Sequence, residues 1–443
     1  MTRWLVRGGL VATCDARHTT FEGDVAVEDG ALVALGPGAA DALTPPYRVL
    51  DARGCAVLPG FVQGHIHLVQ TLFRGMAEGV PLLEWLRRYI WPLEAAHDEA
   101  SLRASAELGL CELVRSGTTT LLDMGTTHGH DAVFEACLAS GVRVFGGKAM
   151  MDAGRGVPKG LRETTAESLR ESARLADAWQ GREGRIGYAY CPRFILSCSE
   201  KLLRAVAEAA PARGALVHTH AAEHASERAA VRAIYGASDV EVLARFGLKG
   251  PHVVLAHGVQ LTPGEMTRAA KAGTRVVHCP NSNLKLGSGV ASVRELGERG
   301  VHVGLGADGA PCNNNLDAFH EMRSAGLVAG IRSGPGSLDA RAVLHLATLG
   351  GARALGLESK IGSLEPGKRA DLVVVALDDV HAAPALDPLV AVVFACQSRD
   401  VRHVMADGRL LVRDGEPLDF DAPRIAARAR AEARRVGLRA GVL

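Results

Sequence analysis

The central part of the chain alternates between short apolar runs and longer stretches with helical periodicity. Each run is almost continuously apolar and ends in polar residues, and intervals such as SLRASAELGLCELVRSG repeat apolar residues at helical spacing. There are eight such runs: GFVQGHIH, GTTTLLDMG, VRVFGGKAM, RIGYAYCPRF, GALVHTHAAE, HVVLAHGV, TRVVHCPNSN and VHVGLGADG. Eight buried strands alternating with helices predict an α/β fold with a closed parallel (β/α)8 barrel of the TIM type.

The two ends of the chain have a different pattern. Residues 1–57 contain short β-type runs broken by Gly and Asp-Gly turns, and the chain beyond about residue 370 repeats this pattern. We expect residues 1–57 and 360–443 to form one small, antiparallel β-sandwich domain beside a barrel of residues 58–359. The final segment, APRIAARARAEARRVGLRAGVL, predicts an Arg-rich helix on the surface.

Charge and cysteine content narrow the function classes. The 50 Lys and Arg residues balance 49 Asp and Glu residues, so no global field favours nucleic acid or an anionic membrane as partner. Nine cysteines without a C-x-x-C pair indicate a reducing compartment. No apolar stretch approaches the ~20 residues of a membrane span. We therefore expect a cytoplasmic protein that binds a small molecule in a pocket.

The first barrel run ends in two histidines, His65 and His67. Alternate side chains of a strand point to the same face, so both imidazoles can reach one metal ion at the barrel mouth. A single histidine at a strand end is usually structural, but later runs also end in potential ligands: His218 and His220, His257, His278, and Asp308. A set spread over several strand ends, where such barrels build their active sites, predicts a metal site.

The residue types also suggest a chemistry. A hydrolytic zinc site uses three or four N or O ligands and leaves a position for a water molecule, whose pKa the metal lowers. His65, His67, His220 and Asp308 supply such a set, and Asp308 can also act as a base. Glu223, three residues after His220, is a candidate acid that carries a proton to the leaving group. The sequence leaves open whether His218 is merely structural.

Seven motifs along the chain match one family: LPGFVQGHIHLVQTLFRG, PLLEWLRRYIWPLE, HTHAAE, LAHGVQLT, HCPNSNLKLGSGVASV, LGADGAPCNNNLDAFHEMR and IGSLEPGKRADLVVV. Together they resemble the amidohydrolase superfamily, and specifically its aminohydrolase branch of purine and nucleoside deaminases, to which triazine hydrolases are related. The resemblance implies one divalent ion per chain, usually zinc and sometimes iron, bound by the four ligands named above. It also implies Glu223 and His257 around the attacked carbon and its oxygen, and commonly a homodimer.

Three segments bear on the substrate, and one of them disagrees with the other two. EWLRRYIWPLE, which contains Trp85 and Glu94, is similar to deaminases of adenosine-type compounds, in which the matching glutamate accepts hydrogen bonds from ribose hydroxyls. GADGAPCNNNLDAFHEMR is similar to the same group, which acts on S-adenosylhomocysteine, methylthioadenosine or 5′-deoxyadenosine. YCPRFILSCSE departs from that group, because Arg193 and Phe194 resemble the pair that holds the base in guanine deaminases.

We therefore predict a metal-dependent hydrolytic deaminase of a 5′-modified adenosine. The predicted substrate contacts are Glu94, Arg193, Phe194, Trp85 and His278. Guanine or 8-oxoguanine deamination is the alternative, and triazine hydrolysis or a non-catalytic scaffold is less favoured. Lys148, at the end of the third run, either meets a 5′ substituent or forms an ordinary ion pair.

Overall fold

The strands predicted at both chain ends and in the centre are present in the computed structural model, which describes residues 2–443. In chain order they are β1 (Arg3–Ala12), β2 (Thr20–Glu28), β3 (Ala31–Gly36), β4 (Arg48–Asp51), β5 (Cys55–Pro59), β6 (Phe61–Ile66), β7 (Thr118–Met124), β8 (Arg143–Gly147), β9 (Ala149–Met150), β10 (Ile186–Pro192), β11 (Leu216–Ala221), β12 (Val253–His257), β13 (Arg275–His278), β14 (Val303–Leu305), β15 (Leu372–Ala376), β16 (Val401–Ala406), β17 (Arg409–Arg413) and β18 (Glu416–Pro417).

The predicted barrel is confirmed. Each of the eight apolar runs forms one strand of a closed parallel sheet, in the order β6, β7, β8, β10, β11, β12, β13 and β14, and β14 pairs again with β6. Every residue of β6, β7, β10, β11 and β12 is buried. Continuous burial is expected when side chains on one face fill the barrel and those on the other meet the surrounding helices.

The strands of the two chain ends pair into a second sheet. Its path runs from β18 through β17, β16, β15, β5, β1 and β2 to β3, and β4 also pairs with β1. The expected antiparallel arrangement is wrong in part, because β1 pairs in parallel with both β4 and β5. The sheet is therefore mixed. It is contiguous with the barrel along the chain, since β5 ends at Pro59 and β6 begins at Phe61.

The helices surround the barrel. They are α1 (Leu82–Trp85), α2 (Trp91–Ala95), α3 (Glu99–Arg115), α4 (His130–Ser140), α5 (Thr165–Trp179), α6 (Glu200–Ala212), α7 (Ala225–Tyr235), α8 (Asp239–Arg245), α9 (Pro263–Ala272), α10 (Pro280–Lys285), α11 (Val293–Glu298), α12 (Ala310–Asn313), α13 (Ala318–Ser333), α14 (Ala340–His345), α15 (Gly351–Leu355), α16 (Pro388–Phe394) and α17 (Ala422–Ala440). Two π-helical turns, Leu86–Ile90 and Leu346–Gly350, join α1 to α2 and α14 to α15.

The segment α1–α2 packs above the barrel mouth in an apolar cluster that includes Trp85, Trp91 and Phe194. The Arg-rich helix α17 contributes Ala429 and Val436 to the same cluster, so one of its faces is buried against the barrel. Within residues 2–443, no helix combines the length and apolarity that a membrane span requires. All nine cysteines are unpaired and buried.

Candidate active site

Side chains at the ends of β6, β11 and β12 converge with Asp308, which follows β14. Ligand atoms of His65, His220, His257 and Asp308 all lie within 4.8 Å of one another. Nε2 of His67 lies 3.4 Å from Oδ1 of Asp308 and 3.1 Å from Nε2 of His220. The structure therefore brings the four predicted metal ligands together, with the imidazole of His257 among them.

The protonation of two of these imidazoles follows from their partners. Nδ1 of His67 lies 2.7 Å from the carbonyl oxygen of Met124, and Nδ1 of His220 lies 2.7 Å from that of Arg193. A carbonyl only accepts, so each Nδ1 carries the proton. The pKa of both imidazoles lies well below the usual value because of burial and the neighbouring ring of His65. Each Nε2 then carries a lone pair and no proton. Because two such nitrogens 3.1 Å apart repel each other, a cation between them is favourable.

The other two histidines are oriented in the same way. Nδ1 of His65 lies 2.8 Å from Nε2 of His218, which gives His218 a role in orienting the cluster. Nδ1 of His257 lies 3.0 Å from Oδ1 of Asn283. Nε2 of His257 is buried and has no hydrogen-bond partner in the part of the chain that the structure describes. Imidazole nitrogens with a carboxylate oxygen are a donor set that suits a divalent metal, so the residues fit one.

Asp308 presents its two carboxylate oxygens to different neighbours. Oδ2 accepts hydrogen bonds from Oγ of Ser282 at 2.6 Å and from Sγ of Cys312 at 3.2 Å. Oδ1 lies 3.2 Å from Nε2 of His65. Burial raises the pKa of Asp308, but the contact with His65 and the other nearby imidazoles hold it well below the usual value. Asp308 is therefore an anion whose Oδ1 is held toward the histidines.

The backbone at the strand ends is strained to bring these groups inward. His257 has a φ of 77° and Asp308 a φ of 61°, in the left-handed region that non-glycine residues rarely adopt. Such conformations cost about 1–3 kcal/mol each and persist where the surrounding structure imposes them, often at active sites. The strain is consistent with selection for the positions of these two side chains.

Glu223 lies just beyond β11, next to the cluster. Its Oε2 is 3.6 Å from Nε2 of His257, and its backbone N–H donates to Oε2 of Glu227 at 3.2 Å. Burial raises the pKa of Glu223 well above the usual value, and the charges of Glu227 and Asp308 add to the effect. A buried carboxyl that keeps its proton near neutral pH is suited to donate it to a bound molecule.

A narrow cavity of about 20 Å³ lies above this cluster. Three of the predicted substrate contacts, Trp85, Arg193 and Phe194, line it. Glu94 and His278 are buried but do not line it. Lys148 does not line the cavity either. Its side chain is fully buried and forms an ion pair with Glu163 at 2.6 Å, which is the second of the two roles predicted for it.

The two residues that indicated different substrates bind each other. Nη1 of Arg193 donates to Oε2 of Glu94 at 2.6 Å, and Nε2 of Gln70 donates to Oε1 of Glu94 at 2.8 Å. All three side chains are buried, and Gln70 and Arg193 line the cavity in front of Glu94. Sequence reasoning missed Gln70, although a polar residue three positions after His67 in an apolar run is a detectable signal. It also missed Ser282 and Cys312, whose contacts with Asp308 only the fold reveals.

Comparison with known proteins agrees with this architecture. The model of the Amidohydrolase family matches residues 56–411. A 5-methylthioadenosine/S-adenosylhomocysteine deaminase of Halobacterium salinarum is 38% identical over 439 residues, which cover 98% of each chain. A 5′-deoxyadenosine deaminase of Methanosarcina mazei is 36% identical over 424 residues, 95% of each chain. The crystal structure of an adenosine deaminase from Xanthomonas campestris with bound zinc superposes with a TM-score of 0.93 at 32% identity and covers 99% of each chain. The chain belongs to the amidohydrolase family.

Proposed function

We propose that this protein is a zinc-dependent hydrolytic deaminase of a 5′-modified adenosine, such as 5′-deoxyadenosine, methylthioadenosine or S-adenosylhomocysteine. The observation that carries the reaction class is the set of imidazole nitrogens around Asp308, with the buried carboxyl of Glu223 beside it. The substrate class rests on the names of the relatives from Halobacterium salinarum and Methanosarcina mazei, which share the whole length of the chain.

The zinc ion would be held by His65, His67, His220 and Asp308, whose donor atoms already converge. When bound, it supplies Lewis acidity that makes a water molecule a nucleophile near neutral pH. His257, whose Nε2 has no hydrogen-bond partner within residues 2–443, faces the same point and would hold the oxygen that adds to the purine.

The side chains of this site would move the protons of the reaction. The carboxylate of Asp308 takes a proton from the attacking water, because one of its oxygens faces the cluster. Glu223 gives its proton to the adjacent ring nitrogen of the purine, which makes the attacked carbon more electrophilic. The amine receives the proton that Asp308 took and leaves as ammonia. The hydroxyl proton of the adduct returns to Glu223 as the oxo group forms on the ring.

The cavity wall would hold the purine over these groups. Trp85 and Phe194 provide aromatic surfaces, and Leu82 and Leu86 complete an apolar lining that excludes water. Nε1 of Trp85 donates to the carbonyl oxygen of Ala77 at 3.2 Å, which fixes the indole in place.

Guanine or 8-oxoguanine deamination is the second candidate. One observation favours it: Arg193 and Phe194 line the cavity, whereas Glu94 does not. A guanidinium offers only donors, which suits the carbonyl oxygen of an oxo-purine.

Ammonia release by zinc-loaded protein separates these candidates. The proposal predicts turnover of at least one of 5′-deoxyadenosine, methylthioadenosine and S-adenosylhomocysteine with kcat/KM far above that for guanine at equal enzyme concentration. Turnover of guanine or 8-oxoguanine alone would establish the second candidate. Ammonia release from none of these compounds would reject both.

We further propose that the protein is a homodimer in a reducing, cytoplasmic compartment. The nine unpaired, buried thiols support the compartment. Leu327 and Ile331, exposed by 53% and 88% on α13, are an apolar surface of the kind that a subunit interface covers. Light scattering of the purified protein tests the dimer, and a monomeric mass at all concentrations would contradict it.

A further inference from the structure

Each carboxylate oxygen of Glu94 already accepts a hydrogen bond from a neighbouring side chain. Oε2 accepts from Arg193 and Oε1 accepts from Gln70, and the carboxylate is fully buried behind these two side chains. Gln70 and Arg193 therefore line the cavity, and the carboxylate of Glu94 lies behind them. In this conformation a substrate in the cavity would contact these two side chains instead of the carboxylate.

Glu94 also determines which end of the Gln70 amide faces the cavity. An ionised carboxylate can only accept, so the nitrogen of the amide must point toward Glu94 and its oxygen must point away. That oxygen, Oε1, is buried and has no hydrogen-bond partner among residues 2–443, although Gln70 lines the cavity. It lies against Gly309, where a Cβ atom would collide with it. A buried acceptor without a partner costs stability unless a bound molecule supplies the donor.

We propose that Oε1 of Gln70 accepts a hydrogen bond from a ribose hydroxyl of the substrate, and that Glu94 is a positioning residue that acts through Gln70 and Arg193. This inference rests on the proposed deamination of an adenosine-type nucleoside. The donors of such a nucleoside are its 6-amine, which is consumed at the metal cluster, and its hydroxyls. Arg193 has only donors to offer and so faces the acceptors of the same molecule, such as purine ring nitrogens.

Hydroxyl deletion on the substrate combined with amide deletion on the enzyme tests this pairing. The substrates are 5′-deoxyadenosine, 2′,5′-dideoxyadenosine and 3′,5′-dideoxyadenosine, and the enzymes are the wild type and Gln70→Met, which keeps the volume but removes the acceptor. For wild type we expect one dideoxy compound to lose roughly 3- to 10-fold in kcat/KM, as befits a neutral hydrogen bond. Gln70→Met should show that loss with the parent nucleoside and no further loss with the dideoxy compound.

Two further variants separate Glu94 from Gln70. Introduced alone, Glu94→Gln should reduce the ratio of kcat/KM between the parent and the dideoxy nucleoside. Added to Gln70→Met, it should leave that ratio unchanged, because the effect of Glu94 passes through Gln70. If Gln70→Met fails to fold, as judged by circular dichroism and metal content, Gln70→Asn takes its place. Asparagine keeps the amide but withdraws it from the ribose hydroxyl, so we expect the result predicted for Gln70→Met. Discrimination that survives in Gln70→Met and disappears only with Glu94→Gln would overturn the inference and restore Glu94 as the direct contact.

The wild-type measurements distinguish this inference from the proposed function. Equal kcat/KM for all three nucleosides would overturn the inference while leaving the deaminase proposal intact. Ammonia release from none of them, nor from methylthioadenosine or S-adenosylhomocysteine, would reject the deaminase proposal and the inference with it.

Discussion

The floor and the wall of the cavity are built in different ways. The floor consists of side chains at strand ends, and four imidazoles are each held by one partner: Met124, Arg193, His218 or Asn283. The wall consists of segments that connect the strands, and its polar side chains, Gln70, Glu94 and Arg193, hold one another. The barrel fixes the position of a strand end. Side chains that bind only one another can be substituted together without a change in the barrel strands. We therefore propose that the floor sets the reaction class and that the wall sets the substrate.

The largest loss is expected from Asp308→Asn. An asparagine can still accept from Ser282, but it lacks the negative charge that the cluster of neutral imidazoles needs to bind a cation. Activity should fall to background together with the metal content, while the circular dichroism spectrum stays unchanged. Elemental analysis and ammonia release check this, and Asp41→Asn, at an exposed position outside the cluster, is the control. A fully metallated Asp308→Asn protein would contradict the assignment of the floor.

Glu223→Gln should separate catalysis from metal binding. The amide keeps the size of the carboxyl but has no proton to transfer, so kcat should fall roughly 10²- to 10⁴-fold. Metal content should remain that of the wild type, because Glu223 is not in the proposed ligand set. Steady-state kinetics and elemental analysis of the same preparation give both values, with the exposed Glu208→Gln as the control. Wild-type kcat would remove Glu223 from the mechanism.

In the wall, breaking the buried ion pair should cost stability. Arg193→Met leaves the carboxylate of Glu94 buried with only Gln70 as its partner, which should lower the free energy of unfolding by roughly 3–5 kcal/mol. The double variant Arg193→Met/Glu94→Leu should recover part of that loss. Urea denaturation of both proteins tests this.

The exposed pair Arg204–Glu200 provides the matched control for that experiment. Its removal should change the free energy of unfolding by at most about 1 kcal/mol, because water solvates both charges. Similar losses for the two pairs would mean that the wall does not depend on its network.

A further effect, confined to acidic pH, concerns a buried histidine outside the floor. Burial lowers the pKa of His130 from 6.5 to about 3. Between these values the unfolded chain binds a proton that the folded chain does not, so stability falls as the pH falls from 6.5 toward 3. His130→Leu should reduce this decline by up to about 1.4 kcal/mol per pH unit. Unfolding measured at several pH values checks it, and parallel curves for the two proteins would contradict it.

The floor was predictable from the sequence because it depends on simple periodicities. Eight apolar runs gave the strands of the barrel, and the period of two along β6 put His65 and His67 on one face. The position of Asp308 followed from the rule that polar residues gather at the carboxyl ends of barrel strands. Each of these arguments uses only neighbouring residues and the closure of the barrel.

The wall was not predictable in the same way. Glu94 and Arg193 are 99 residues apart, and their contact depends on where the helix α1–α2, with its π-helical turn, lies above the barrel. From the sequence the two residues indicated two different substrates, whereas in the fold they are one ion pair. The mixed sheet escaped prediction for the same reason, because the pairing of β1 with β4 and β5 is not encoded in any one segment.

The most direct test of the account is mass spectrometry of the products formed from 5′-deoxyadenosine, methylthioadenosine and S-adenosylhomocysteine in water enriched in heavy oxygen. The account predicts that the purine of at least one of them gains one heavy oxygen in place of its amine, with one ammonia released per nucleoside and the bond between base and sugar intact. Release of free base, or all three nucleosides unchanged with zinc-loaded protein, would contradict it.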